Sequence, residues 1–297
     1  TLKLDYKGHK IEDLCIDKSE MFYDWLASYH KWIESRIYDL IHNNTSHQSS
    51  IVYSGGGAQN TVYNERFSKE YELIIPPHCY DGGLSLGCMK FLSEYFGKEV
   101  CIDGFPFCHT DQDLGYASNR TIEKIADLLS NGKIVGWCQG RSEIGPRALG
   151  HRSILMNPAI QNAKDVLNNR IKKREGWRPF AASILREDVE RITGKSQDLN
   201  YMLHAVSVLP DFRDNLKSVI HIDGTCRFQS VRDTKELHSY YELIRCFKNQ
   251  TGIYGILNTS FNSSGMPIAS SRDDVIKAYD SLDLDALCIG DELIVRK

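Results

Sequence analysis

The segment Gly140-Arg-Ser-Glu-Ile-Gly-Pro-Arg-Ala-Leu-Gly-His-Arg-Ser153 constrains this chain more than any other stretch. Glycines at 140, 145 and 150 and a proline at 146 stop helix or sheet from continuing, so the apolar run 134–138 reads as a strand feeding a loop. Glycine loses more backbone entropy on folding than any other residue, which makes so glycine-rich a loop costly as a mere connection. It does let the main chain approach a ligand closely, and the forks of Arg141, Arg147 and Arg152 match phosphate or carboxylate oxygens two at a time. Between 140 and 180 there are nine Lys or Arg against three acidic residues, in a chain whose net charge is −3. These charges alternate with Gly, Pro and apolar residues. That pattern favours an anion site over a solvated basic face.

A length of 297 residues suits one large domain or two ordinary ones. The faintly acidic total argues against non-specific binding of nucleic acid or membrane by the whole molecule. No apolar run approaches the roughly 18 residues of a spanning helix, and no signal-peptide pattern opens the chain. Nine cysteines without a Cys-x-x-Cys pair read as reduced, mostly buried thiols of a cytoplasmic protein. The chain begins at Thr1, as a piece of something longer would.

Apolar and aromatic residues at three- and four-residue spacing predict a helix over 19–42, its stripe (Trp25, Tyr29, Trp32, Ile33) reading as core. A buried strand at 50–53 then leads into Ser54-Gly-Gly-Gly-Ala-Gln-Asn60, a layout that offers backbone N–H groups to a phosphate. The strand at 74–75 stops at two prolines, and Tyr80-Asp-Gly-Gly opens another helix. There Asp81 is either a helix N-cap or a metal or ribose ligand. Residues 97–118 read as a linker between domains 1–115 and 116–297. In the second domain, helices are expected at 122–129, from Asn157-Pro158 onward, at 187–193, around 237–247 and from a Ser271/Asp274 capping box to about 281. Strands are expected at 134–138, 180–185, 254–257, 286–289 and 293–296, with a hairpin around Asp223-Gly224. The alternation of strands and helices in both halves says α/β.

Residues 140–155 resemble the signature of the O-carbamoyltransferases of antibiotic and nodulation-factor biosynthesis. So do Lys173-Arg-Glu-Gly-Trp-Arg-Pro-Phe-Ala181, Asp223-Gly-Thr-Cys-Arg227, Leu257-Asn-Thr-Ser-Phe-Asn262, Gly265-Met-Pro-Ile268 and Leu284-Asp-Ala-Leu-Cys-Ile-Gly290, in the family's order. The resemblance implies two α/β parts. One is the second half of a sugar-kinase/Hsp70/actin-like carbamoyl-transfer domain. The other is a YrdC-like domain that makes carbamoyladenylate from carbamoyl phosphate and ATP with Mg2+.

By the family's pattern, Arg147, Arg152, Lys172 and Arg178 would surround carbamoyl phosphate and polyphosphate, with Arg227, Asn258, Ser260 and Asn262 completing the pocket. Gly55, Gly56 and Asn60 would contact nucleotide in the transfer domain, and Asp81 would help hold its transition metal, for which Fe2+ is a candidate. The transfer domain's first half has no counterpart here, and His42 and His47 do not resemble its histidine pair. An N-terminal half, as a separate segment or chain, and a hydroxyl-bearing acceptor are therefore expected partners. Read from the residues alone, Lys173 and Arg174 are solvated, Arg141 pairs with Glu143 or a neighbour, and His151 has no assigned role. The rival readings are a threonylcarbamoyladenylate-type tRNA-modification enzyme and a non-catalytic RNA-binding module. The Gly-Pro-Arg-Ala-Leu-Gly run speaks against the first, and thin interleaving of aromatics with the basic residues speaks against the second.

Overall fold

The computed structural model describes residues 20–46, 49–109 and 112–296; residues 1–19 and His47 lie outside these. Helix α1 (Glu20–Asn44) is followed by β1 (Ser50–Val52), α2 (Thr61–Phe67), β2 (Glu72–Ile74) and α3 (Leu84–Tyr95). Strands β1 and β2 form a parallel pair of their own. Then come α4 (Asn119–Ser130), β3 (Val135–Cys138), β4 (Arg152–Met156), α5 (Ala163–Val166), β5 (Ala181–Leu185), α6 (Val189–Thr193) and β6 (Ala205–Ser207). The chain closes with α7 (Pro210–Arg213), β7 (Thr225–Val231), α8 (His238–Thr251), β8 (Ile256–Ser260), α9 (Arg272–Ser281), β9 (Ala286–Ile289) and β10 (Glu292–Val295).

Eight of these strands make one mixed sheet in the order β10-β9-β3-β4-β8-β5-β7-β6, parallel only at β3–β9 and β5–β7. Both faces are covered, so the central strands read as continuous apolar runs whose side chains alternate between two cores. Val135 and Trp137 of β3 and Leu155 of β4 meet α4 and α8 through Ile125, Leu129, Leu243 and Phe247. Ile154, Met156, Leu257 and Leu287 face the opposite core with Leu167, Ile171, Val275 and Tyr279. The architecture is a mixed α/β fold built on a large sheet. Among the described residues no helix is long and apolar enough to cross a membrane.

Most of the expected elements form, including the Ser271/Asp274 capping box at the head of α9. Several differ, each for a local reason. Asn157-Pro158 opens a turn, not a helix: Asn157 Oδ1 accepts from Ala159 N, while the carbonyls of Pro158 and Ile160 are taken by Ser218. Helix α5 therefore starts at Ala163, and it continues as a π-turn over Leu167–Lys172. Asp223-Gly224 does make a turn, with Gly224 at φ 78°, yet the strand antiparallel to the start of β7 is β6, not residues 220–222. Strand β8 begins at Ile256 and runs to Ser260, so Asn258 lies within the ladder and does not end it.

Helix α1 forms, but its stripe is not core. Tyr23, Leu26, Trp32 and Leu40 are exposed, whereas Glu34 is buried against Arg66 at 2.9 Å. Val52 is likewise exposed on β1, so the strand expected to be buried is not. The described residues of 97–118 contain no strand and no helix, yet they are packed down. His109 N donates to Ser142 O, Ile144 N to Pro106 O, Leu114 N to Gly140 O, and Gly140 N to Gly115 O. The described cysteines form no disulfides, and Cys79, Cys138, Cys226 and Cys288 are buried.

Candidate functional site

The loop between β3 and β4 is held at both ends before it can present anything. Trp137 Nε1 donates to Gly150 O at 2.9 Å, fixing the loop's return from beneath. Gly150 has φ 104°, and a Cβ there would lie 2.3 Å from the Tyr240 ring. Buried Glu143 accepts the backbone N–H groups of Leu149, His151 and Arg152, so it folds the loop and does not pair with Arg141. Arg141 donates to Cys108 O. His151 stacks on Phe107 at 3.9 Å and points its two ring nitrogens at Arg141 O and Glu236 O. Its role is internal packing.

Above the ends of β4, β8 and β5 this loop walls a cavity of about 180 Å³ lined by Arg147, Arg174, Arg227, Asn258 and Ser260. Three guanidiniums from three elements therefore converge: one from the loop, one from β7, and one from the strap that follows the π-turn. No carboxylate lines the cavity, and none of the three forms an ion pair among the described residues. The Nε atoms of Arg147 and Arg227 are enclosed without a partner. Burial, followed by the charge of Arg147, pulls Arg227 down to about 10. Arg147 is lowered chiefly by burial, and Arg174 by burial and then by Arg178. Like charges gathered away from water and left without counter-ions oppose the fold. A bound anion would relieve them.

Lys172 closes the same wall. The π-turn carries it inward, where its Nζ donates to the main-chain and side-chain oxygens of Ser260 and Asn262, the Asn262 Oδ1 contact being 2.8 Å. Burial, then the neighbouring Arg174, brings Lys172 down to about 7, against the pull of those four oxygens. Ser260 Oγ in turn donates to Asn262 Oδ1 at 2.6 Å. Asn258 sits on the cavity floor, its Nδ2 on Ala148 O and Ser183 Oγ.

Of the residues marked in the sequence, the structure places Arg147, Arg227, Asn258 and Ser260 on this cavity, and Lys172 and Asn262 directly beside it, joined through Ser260. Two it places elsewhere. Arg152 is fully buried with its guanidinium on the carbonyls of Gln139, Gly140, His151 and Ser270, so it latches the loop and has no donor facing the cavity. Arg178 is exposed, paired with Glu175 at 2.9 Å and lying over the Trp177 ring outside the cavity. Arg174, read as solvated, is the third cavity guanidinium. No strand or helix period in the sequence signals it, because Lys172 ends the π-turn and Lys173 is left-handed at φ 45°.

A second, more open cavity of about 570 Å³ is lined by Ser54, Gly55, His78, Tyr80, Asp81 and the apolar face of α3. Gly55 has φ 98°, but its N–H donates to Cys79 O at 2.6 Å, and Gly56 begins a short 3-10 turn. Asn60 is the N-cap of α2, its Oδ1 accepting from Val62 N and Tyr63 N at 3.2 Å. The Gly55 N–H and the Asn60 side chain are thus already engaged within the fold and do not present themselves to a nucleotide. Asp81 is exposed at the start of a 3-10 turn, and no group of three His, Cys, Asp or Glu among the described residues could hold a metal ion. The donors present do not make a metal site. The two cavities share a wall. Gly145, at φ 104°, sits so close that a Cβ would lie 2.4 Å from Pro77 O, and Cys79 lies within electrostatic reach of Arg147.

The fold and the site thus define a mixed α/β protein with an acid-free, arginine-lined cavity above the strand ends of its large sheet. The model of the carbamoyltransferase C-terminus matches residues 126–296, and the chain belongs to the carbamoyltransferase family. It is 32% identical over 303 residues to the nodulation protein NolNO of Sinorhizobium fredii, covering 92% of this chain and 44% of that protein. It is 30% identical over 254 residues to the 3'-hydroxymethylcephem-O-carbamoyltransferase of Amycolatopsis lactamdurans, covering 82% and 48%. The chain spans about half the length of the curated relatives it matches. A crystal structure of P. abyssi Sua5 complexed with L-threonine shows a low structural likeness, with TM-score 0.40, 16% identity, and coverage of 59% of this chain and 48% of that one.

Proposed function

We propose that this chain is the C-terminal portion or subunit of an O-carbamoyltransferase, and that its arginine cavity forms carbamoyladenylate from carbamoyl phosphate and ATP. The observation that carries this reading is the meeting of Arg147, Arg174 and Arg227 in a cavity without a carboxylate, with Lys172 held beside it on Ser260. Carbamoyl phosphate and ATP are polyanions whose reacting groups repel each other. Fixed cations offset that repulsion and stabilise charge developing on leaving phosphate and pyrophosphate. Mg2+ enters with ATP as part of the substrate, held mainly by phosphate and water.

In balanced form, water releases inorganic phosphate from carbamoyl phosphate. An oxygen of the resulting carbamate then bonds to the α-phosphorus of ATP, and the bond to pyrophosphate breaks. Arg147, Arg174 and Arg227 bind and orient the phosphates, while Lys172, held by Ser260 and Asn262, carries its proton toward the leaving group. The carbamoyl group then passes along the shared wall at 77–79 and 145–147 toward the Gly55 and Asp81 cavity, for attack by an acceptor hydroxyl. The portion up to residue 115 is read as the second half of an actin-like transfer domain and the portion from residue 116 as YrdC-like. The exposed aromatic face of α1 and the isolated β1–β2 pair agree with an N-terminal half packing there. The test is pyrophosphate release with ATP, Mg2+ and carbamoyl phosphate, run with Arg147→Ala and Lys172→Ala. Release that requires carbamoyl phosphate and disappears in both variants supports the reading; release without carbamoyl phosphate, or release unchanged by either substitution, removes it.

A further inference from the structure

Arg174 sits on a strap, 173–178, that the sequence alone would leave in solvent: Lys173, Glu175, Gly176, Trp177 and Arg178 are all exposed. Yet its guanidinium is turned inward over the Phe180 ring at 4.8 Å and lines the cavity. One buried side chain accounts for that direction. Asn168, fully enclosed within the π-turn, accepts the Arg174 Nε–H on its Oδ1 at 2.7 Å. Its Nδ2 donates to Gly176 O at 3.3 Å and Arg178 O at 3.1 Å, and its own main-chain oxygen accepts Arg174 N at 3.1 Å and Lys173 N. The π-turn makes this possible, because its wider hydrogen-bond register leaves Lys173 in the left-handed region at φ 45° and folds the strap back over residue 168.

We propose that Asn168 is the positioning residue of the arginine cavity: it clamps the strap at Arg174, Gly176 and Arg178 and so holds the Arg174 guanidinium against the bound anion. The amide is the chemistry the task requires. It supplies an acceptor for Arg174 and two donors for carbonyls, and it does so without neutralising the charge that the anion must meet. A carboxylate of the same size would hold the guanidinium and cancel it. An aliphatic residue would release a long, flexible side chain whose rotamer freedom is then lost on binding. This inference rests on the anion-site reading above and adds to it a residue that never touches the ligand.

The test is calorimetric binding of inorganic pyrophosphate to the whole chain, with thermal midpoints recorded alongside. Asn168→Ala and Asn168→Asp should each weaken pyrophosphate binding about tenfold, the loss expected for one charge-assisted contact. In an Arg174→Ala background neither should weaken it further, whereas in an Arg147→Ala background both should weaken it by the same factor as in the wild type. A purely structural role would multiply with either arginine. Should Asn168→Ala not fold, Asn168→Asp, which keeps size and the Arg174 contact, decides alone. Wild-type-like binding by the Asn168 variants, or losses that multiply with Arg174→Ala, overturns the proposal while leaving the anion site standing. A wild-type chain that does not bind pyrophosphate overturns the site reading and this inference together.

Discussion

Replacing Arg227 by methionine should make the free protein more stable and less able to bind an anion. Arg227 carries its charge with its Nε enclosed and unpartnered, one N–H on Pro179 O at 3.3 Å, and Arg147 and Arg174 beside it. Burial and those neighbours bring it from 12.5 to about 10. A cation lowered in the folded state destabilises that state wherever it stays charged, so the penalty is complete at neutral pH and is relieved only above about 10. At about 1.4 kcal/mol per pH unit the penalty is about 3 kcal/mol, from which loss of the Pro179 hydrogen bond takes back about 1. Arg227→Met should therefore gain about 2 kcal/mol, or roughly 4–8 °C in thermal midpoint. Scanning calorimetry in phosphate-free buffer, repeated with pyrophosphate, provides the check. The wild type should melt lower without ligand and rise with it; the variant should melt higher and stay put. A variant that melts at or below the wild type without ligand, or that still responds to pyrophosphate, refutes the idea that these arginines are strained for the sake of an anion.

Three other outcomes follow from the same geometry. Lys172, held near pH 7 by burial and Arg174, should regain its proton when an anion binds. Pyrophosphate binding at pH 8 should then take up about one proton, seen as a dependence of binding heat on buffer ionisation enthalpy, and the free fold should gain stability from about pH 7 upward because only the unfolded chain then holds that proton. Arg152→Met strips donors from four buried carbonyls and should lower stability by about 3–5 kcal/mol, measured by denaturant titration; a stable variant that merely lost anion binding would return Arg152 to the ligand shell. Gly145→Ala places a Cβ 2.4 Å from Pro77 O at φ 104° and should cost about 2 kcal/mol or more while weakening pyrophosphate binding, read in the same titration and by calorimetry.

Much of this was legible in the residues, and the reasons differ by element. The strands around the core announce themselves because both sheet faces are covered, and the Ser271/Asp274 box is a purely local signal. Arg147, Arg227, Asn258 and Ser260 line the arginine cavity because long motifs fix them to strand ends and their loops, and Lys172 and Asn262 join them through Ser260. What stayed hidden depended on tertiary partners. A buried arginine that binds a ligand and one that latches carbonyls look alike in sequence, and Arg152 is of the second kind. Arg174 looked solvated because its direction is set by a π-turn and by Asn168, neither of which leaves a periodic trace. Asn157-Pro158 lost its helix to Ser218, sixty residues away in the chain, and the partner of β7 came from 205–207 where a local hairpin was expected. The aromatic stripe of α1 has helical period yet is only half-buried at Trp25, Tyr29 and Ile33 and exposed at Trp32, since only short elements lie against it here.

The most direct measurement is product accounting by phosphorus NMR after incubating the chain with ATP, Mg2+ and carbamoyl phosphate. The account predicts an adenosine monophosphoryl product, pyrophosphate and inorganic phosphate in equal amounts, all three abolished by Arg147→Ala. Formation of ADP, or of AMP and pyrophosphate without carbamoyl phosphate, would contradict it.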